Sequence, residues 1–414
     1  MKIKAFRGYR PRRDLVSSVA SRPYDVLTTA EARQEAAGNP YSFLNVVKPE
    51  ITFPAATAPD NPEVYRAAAA NFQGLVDKGT FIRDERDSLY IYELTANRQP
   101  RTGIVAAAAV EDYLSGRIRK HELTRFDKEA DRARHIRTTM LNVEPVMFAY
   151  RYNLRLDNLV NSIKSTPPEY DFVDADSVQH RFWIVDDPAT VQTIIRAFAG
   201  IPATYVADGH HRTAAAAQVG QELAGQGQSN GAGQGYNHFM AVHFPDNQLE
   251  ILDYNRLVTN LNGLEPRAFL RKLGLAFMVE RTGSQPIKPK QRGVIGMYLT
   301  GVWHRLSARP DAYAADHTMA ALGVSILSDL ILEPILGIRD QRTDPRIHFV
   351  GGVRGVEALQ NRVDSGEMAV AFTLYPVSIQ ELMSIADDGD IMPPKATWFE
   401  PKLRSGLVVY SLKD

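Results

Sequence analysis

The sequence predicts a mixed α/β (α+β) protein of two domains, residues 1–262 and 263–414. Three observations predict this. The chain has 414 residues, more than one hydrophobic core of about 250–300 residues sustains. Strand-type and helix-type patterns alternate along its whole length. The alternation restarts after about residue 262, with LEPRAFLRKLG, GVIGMYL, VSILSDLILEPILG, IHFVGG, MAVAFTLYP and SIQELMSIA.

The elements follow from local signals. Thr28 stands three residues before Glu31, the spacing of a capping box, and Gly38-Asn39-Pro40 stops the helix it starts. Asn61 followed by Pro62 opens a helix that closes on Gly79. LYIYELT (89–95) and GIVAAAAV (103–110) read as strands, the second against the helical preference of alanine. RHIRTTML ends a charged helix, and PVMFAYRY (145–152) is a strand. DPATVQTIIRAFAG (187–200) is a capped helix with glycine at its end. Thr204–Ala207 is a short apolar strand, Asp208-Gly209 a turn, and the alanine-rich run from Thr213 a helix. GQGQSNGAGQG (225–235) has the composition of a flexible surface loop, and NHFMAVHF (237–244) is the strand after it. Ser378 and Glu381 form another capping box. No internal repeat is present.

Composition narrows the function classes. Hydrophobic residues are 44% and charged residues 23%, with a net charge of zero. No global field draws nucleic acid or a membrane. The absence of cysteine excludes disulfides, thiolate metal sites and a thiol nucleophile. The basic start MKIKAFRGYRPRR has no apolar run behind it, and no window suits a membrane helix. A cytoplasmic protein is expected. Neither GxxxxGK[ST] nor GxGxxG occurs.

The stretch VADGHHRTAAAAQV places Asp208, Gly209, His210, His211 and Arg212 at a strand-to-helix elbow. A helix start offers unbonded amides and roughly +0.5 of a charge, so it binds phosphate. Gly209 admits the left-handed backbone that brings a ligand close, and Arg212 supplies a fork for two phosphate oxygens. Basic groups at that end oppose the helix dipole, a conflict an anion resolves. The alternative is a solvated turn with Arg212 in a surface ion pair. Zinc is disfavoured for want of an HxxxH or HExxH spacing.

Three further stretches hold candidates. Residues 117–137 carry eight Lys/Arg against four Asp/Glu. Asp127, Glu129, Asp131, Arg132 and Arg134 suit i,i+3 and i,i+4 pairing on a solvated helix. His121, Glu122 and Arg125 precede that pattern; Glu122 offers a carboxylate base or a magnesium ligand. IMPPKATWFEPKLRSG (391–406) is a stiff loop with Lys395, Trp398, Lys402 and Arg404; the alternative is a capping tail with Trp398 and Phe399 packed inward. Gly351-Gly352 after a strand is a weak phosphate-loop signal.

SRPYDVLTTAEARQEAAGNPYSFLNVVKPEI, KHELTRFDKEADRARHI, EPVMFAY, YVADGHHRTAAAA, FPDNQLEILDYNRLV, LEPILGIRDQRTDPRIHFVGG and MPPKATWFEPKLRSG resemble, in order, the signature blocks of a large prokaryotic family of unknown function. DGHHR is also similar to the nucleotide-binding motif of the ParB/sulfiredoxin-like fold, so the resemblance implies such a core in the first domain, with an additional α+β domain after it. Sulfiredoxin chemistry needs a cysteine that this chain lacks. ParB proteins, which bind cytidine triphosphate, carry Gly-Glu-Arg-Arg where this chain has Gly209-His210-His211-Arg212. Free-serine kinases of the fold carry Asp-Gly-His-His-Arg, matched here from Asp208 to Arg212.

That likeness implies phosphoryl transfer from ATP, ADP or another nucleotide, with Mg, to a small hydroxyl compound, free L-serine first. Asp208, His210, His211 and Arg212 would line the phosphates. Gly209 and Thr213 would complete the cradle, Asp208 would hold magnesium or take the substrate proton, and Lys395 and Arg404 would close over the site. The kinases use a glutamate before the motif as base; Glu50 and Glu122 are the candidates here. The alternative is a ParB-like regulatory protein that binds nucleotide without small-molecule kinase activity. A homodimer is compatible with either reading.

Overall fold

A computed structural model describes residues 1–226 and 234–414. Most of the 225–235 loop, residues 227–233, lies outside the described residues. The chain forms two compact units. The first holds Met1–Arg119, Thr124–Leu249 and Pro401–Asp414; the second holds Lys120–Leu123 and Glu250–Glu400. This differs from the division expected at 262. Strand Tyr254–Val258 pairs with Ile347–Gly351 and Val370–Thr373, so it belongs to the later sheet. The last residues, Pro401–Asp414, return to the first unit.

The first unit is built on a nine-stranded mixed sheet. Its order runs Ile118–Arg119, Thr204–Asp208, Val146–Tyr150, His238–Pro245, Gln99–Ala109, Leu89–Ala96, Gln179–Val185, Tyr170–Val173, and Ile3–Lys4 pairs with Gln99–Ala109 off this path. Two of its pairings are parallel, Thr204–Asp208 with Ile118–Arg119 and His238–Pro245 with Val146–Tyr150. The alanine run is the interior of strand Gln99–Ala109, and Ala106, Ala107 and Ala108 are fully buried. Cross-strand burial, with Phe239 opposite Ala108 and Met240 opposite Ala107, overrides their helix propensity. A second cluster of the unit gathers Phe43, Val46, Val47, Phe72, Phe81 and Val409.

The expected caps form. Thr28 and Glu31 close a capping box at helix Thr29–Ala36, and Asn61 caps Pro62–Asp77. Asp187 caps Pro188–Ala199. The charged helix spans Phe126–Thr139, but its ion pairs are not the expected ladder. Arg132 pairs with its neighbour Asp131, Arg134 with Asp60, and Asp127 with Arg125. Arg132 is buried rather than solvated.

The second unit is a six-stranded sheet in the order Phe277–Gly283, Val302–Ala308, Val294–Leu299, Val370–Thr373, Tyr254–Val258, Ile347–Gly351. Helix Gly355–Asp364 covers it through Leu359 and Val363, packed with Leu257, Tyr298 and Trp303. Ser378 and Glu381 form the expected capping box of helix Ile379–Asp387. Among the described residues, no helix is long and apolar enough to cross a membrane.

Candidate functional site

The elbow is made by a register slip. Strand Thr204–Asp208 pairs Tyr205 with Ala149 and Val206 with Phe148, then slips so that Asp208 faces Met147. A bulge of this kind re-aims the side chain after it. Gly209 follows with φ 97° and ψ 35°, and helix His210–Gly225 begins at once without a side-chain cap. A Cβ at Gly209 would stand 3.1 Å from Val146 Cγ1 and 3.2 Å from Arg212 Cζ and Nε. Backbone angle and space therefore both demand glycine. The run Ala214–Ala217 is buried because this helix packs closely on Phe126–Thr139.

The charges at the elbow are tightly organised. Asp208 accepts from Arg212 Nη2 at 2.7 Å on one oxygen and from Lys402 Nζ at 2.7 Å on the other. The Arg212 Nη1 donates to the Pro145 carbonyl. Its Nε is a buried donor without a hydrogen-bond partner among the described residues, a rare condition for a guanidinium. Burial alone would lower the pKa of Arg212, but Asp25, Asp208 and Glu144 together hold it above its ordinary value. Arg212, Arg132, His135 and Glu144 wall a cavity of about 30 Å³ beside the helix, room for about one or two waters.

Glu144 is the buried carboxylate of this wall. It accepts from the Tyr24 amide at 3.0 Å and the Ser405 hydroxyl at 3.2 Å. Arg132 Nη1 lies 4.0 Å away. Burial raises its pKa, against the pull of Arg212 and Arg132. Glu144 was not among the candidates read from the sequence, and Lys402 was named with the 391–406 loop but given no role at the elbow. Glu144 has a signal, an acid two residues ahead of the wholly buried strand Val146–Tyr150; nothing local separates Lys402 from its basic neighbours.

Several expected roles need correction. Arg212 is not an open phosphate fork: it is 8% exposed and already bonded to Asp208 and Pro145. Asp208 does not fit a magnesium ligand, because each oxygen already faces a cation. Thr213 is fully buried and donates its hydroxyl to the Gly209 carbonyl at 2.9 Å. His211 Nε2 accepts from the Arg125 amide at 2.9 Å. That bond requires the neutral tautomer with its proton on Nδ1, so protonation there would break it. His210 is buried at the first helical position.

Glu50 and Arg404 lie elsewhere in the first unit. Glu50 sits in the turn Pro49–Thr52 and pairs with Lys48 at 3.1 Å. Arg404 is committed to Asp174 and Asp176. Asp174 in turn meets His180 Nε2 at 2.7 Å, while His180 Nδ1 meets the Tyr92 hydroxyl at 2.8 Å. Hydrogen bonds from His180, the Val178 amide and Arg404 outweigh burial and hold Asp174 well below the usual carboxylate range.

Glu122 and Lys395 belong to the second unit. There the fully buried Arg256 donates to the carbonyls of Tyr254, Pro394 and Lys395 and stacks over Phe349 at 4.6 Å. Burial pushes its pKa down to about 10, partly offset by Tyr254 and Glu122. Arg256 thus fixes the Pro394-Lys395 backbone. Gly351-Gly352 is a packing feature rather than a phosphate loop. A Cβ at Gly351 would meet the Trp398 ring at 2.6 Å, and one at Gly352 would strike the Asp253 carboxylate.

Among solved structures, the chain is similar to a conserved hypothetical protein from Pyrococcus furiosus, at 12% identity and TM-score 0.38, over 75% of this chain and 96% of that one. It is similar to SbnI with a C-terminal truncation from Staphylococcus aureus, at 10% identity and TM-score 0.40, over 74% and 87%. It is also similar to a free serine kinase in complex with AMP, at 10% identity and TM-score 0.36, over 75% and 92%. Likeness at this level carries no functional argument. No curated protein matches the chain. The family described as "Protein of unknown function (DUF1015)" matches residues 3–325, and the chain belongs to that family.

Proposed function

We propose that the elbow Asp208–Arg212 binds the phosphates of a nucleotide such as ATP or ADP, on a ParB-like core, and that the protein transfers a phosphoryl group to a small hydroxyl compound. Free L-serine is the first candidate acceptor, and the cytoplasm is the compartment in which a cysteine-free chain meets it. The observation that carries the reading is Gly209 at φ 97°, at the mouth of helix His210–Gly225. A bare left-handed glycine there opens the first-turn amides to an anion. The resemblance of Asp208–Arg212 to the motif of free-serine kinases supports the choice of reaction.

The residues divide the work as follows. The amides of His210 and His211 bind phosphate oxygens. His211, a donor at Nδ1, hydrogen-bonds the transferred group. Arg212 does not touch the ligand; it orients Asp208 through its 2.7 Å contact. Asp208 takes the acceptor's hydroxyl proton as the acceptor oxygen bonds to phosphorus and the bridging oxygen leaves with the shorter nucleotide.

A second reading is favoured by one observation: both oxygens of Asp208 already face cations, so an acceptor hydroxyl would have to displace one of them. The protein would then bind nucleotide as a regulatory ligand without transferring phosphate. One experiment separates the two. Purified protein is incubated with ATP or ADP, magnesium and a mixture of amino acids, and phosphorus NMR is used to look for a phosphomonoester. Product with wild type and none with His211→Ala supports transfer. Binding by calorimetry without product supports regulation. Absence of binding removes both.

A further inference from the structure

We infer that the first unit carries a second ligand site, a cleft that takes a small acidic amino acid. The ligand's two carboxylates would sit on Lys4 and Arg86 and its ammonium on Asp186. The inference does not rest on the nucleotide reading, and the cleft shares no residue with the elbow.

The cleft has a volume of about 480 Å³, within the range of small-molecule sites. It is bounded by strand Ile3–Lys4, by Arg86 and Asp87 ahead of strand Leu89–Ala96, and by the start of helix Pro188–Ala199. All of these belong to the first unit. Ala5 and Val191 give it a buried apolar floor, and Gln192 adds an amide.

The charges in the cleft point to the ligand. Neighbouring cations are paired, Lys2 with Glu111 at 2.7 Å and Arg7 with Asp87 at 3.8 Å. Lys4, Arg86 and Asp186 line one cleft, yet among the described residues none of the three makes an ion pair or a side-chain hydrogen bond. Their backbones are fixed. Lys4 stands opposite Ala107 in the sheet. Phe6 and Ser88 exchange two backbone hydrogen bonds at 3.0 Å, and the Ser88 hydroxyl donates to the Arg86 carbonyl at 3.2 Å. Asp186 directly follows Val185, which stands opposite Leu89. The spacing between the two signs is therefore built in, and a ligand of complementary charge can bridge it.

The helix start does not compete for an anion. Pro188 has no N–H, the Thr190 amide donates to the Asp187 carboxylate at 2.9 Å, and the Val191 amide donates to the Asp187 carbonyl at 2.9 Å. Negative groups of a ligand are thus left to Lys4, a point charge on a flexible stem, and to Arg86, whose fork matches a carboxylate. Asp87 is engaged by Arg7, so Asp186 is the acid that remains for an ammonium. Two cations against one acid fit a ligand with two carboxylates and one ammonium, its aliphatic stem lying on Ala5 and Val191.

The test is calorimetry on the full-length protein with L-glutamate as the probe and glutarate and L-glutamine as controls. Wild type is expected to bind L-glutamate with a dissociation constant of about 0.1–1 mM, because exposed ion pairs are individually weak. Glutarate, which lacks the ammonium, and L-glutamine, which lacks one carboxylate, should bind about three- to tenfold more weakly. Lys4→Met and Arg86→Met should each lower L-glutamate affinity by a similar factor, and Asp186→Asn should remove the preference over glutarate. All three side chains are exposed, so the variants should fold, and circular dichroism verifies it. Failure of wild type to bind L-glutamate below about 10 mM overturns the inference. So does binding that all three variants leave within twofold of wild type. Neither result touches the nucleotide reading, which ADP calorimetry tests separately.

Discussion

Gly209→Ala tests the elbow directly, and Gly38→Ala provides its control. Both glycines have positive φ, 97° at Gly209 and 74° at Gly38. At Gly38 nothing lies within 4 Å of an added Cβ. Its replacement should cost only the left-handed backbone, about 1 kcal/mol. At Gly209 the new methyl meets Val146 Cγ1 at 3.1 Å and Arg212 Cζ and Nε at 3.2 Å. Each neighbour must yield by a few tenths of an ångström, and Arg212 is pinned at both ends of its fork. That adds about 1–2 kcal/mol, for a total of about 2–3 kcal/mol. Urea denaturation followed by circular dichroism gives both values from the shift in midpoint at constant slope. If the two variants differ by less than about 0.5 kcal/mol, Gly209 is not packed against Arg212, and the rigidity assigned to that guanidinium is wrong.

Three other outcomes are expected. Arg212→Lys keeps the charge but not both ends of the fork, so it should destabilise the first unit by about 2–3 kcal/mol in the same denaturation assay. Arg256→Met should cost the second unit about 3 kcal/mol, because the carbonyls of Tyr254, Pro394 and Lys395 lose the donor that a fully buried guanidinium supplies; a cost below about 1 kcal/mol would show that these carbonyls find other partners. Burial pushes the pKa of His243 down to about 3 and those of His135 and His238 to about 4. The unfolded chain therefore binds more protons between about pH 4 and 6.5. Stability should be complete above pH 6.5 and fall on acidification, by up to about 1.4 kcal/mol per pH unit for each histidine. His243→Phe, set between Phe148 and Phe198, should remove one proton's worth of that slope; an unchanged slope measured by denaturation across pH would refute the assignment.

Much of the fold was legible because its signals are local. A cap such as Thr28 with Glu31, or Ser378 with Glu381, specifies a helix start within four residues, and both boxes form. The elbow was legible for the same reason: strand, glycine and helix are contiguous. What escaped depends on distant partners. Arg212 is buried with its guanidinium on the Pro145 carbonyl, just ahead of the neighbouring strand Val146–Tyr150. Lys395, Lys402 and Arg404 look alike in sequence, yet their surroundings assign one to the second unit, one to Asp208 and one to Asp174. The boundary at 262 failed because Tyr254–Val258 reads locally like any other strand. Only its pairing reveals its sheet.

The return of Pro401–Asp414 to the first unit has a consequence for biosynthesis. Strand Leu141–Asn142 waits for Tyr410–Ser411, Glu144 for Ser405 and Asp208 for Lys402. The earlier unit therefore cannot close until the last residues have been made, and its contacts carry the loop-closure entropy of that long return. A chain cut short before Pro401 would lack all three of these contacts, and the strand edge and carboxylates left in search of them would be open to proteases.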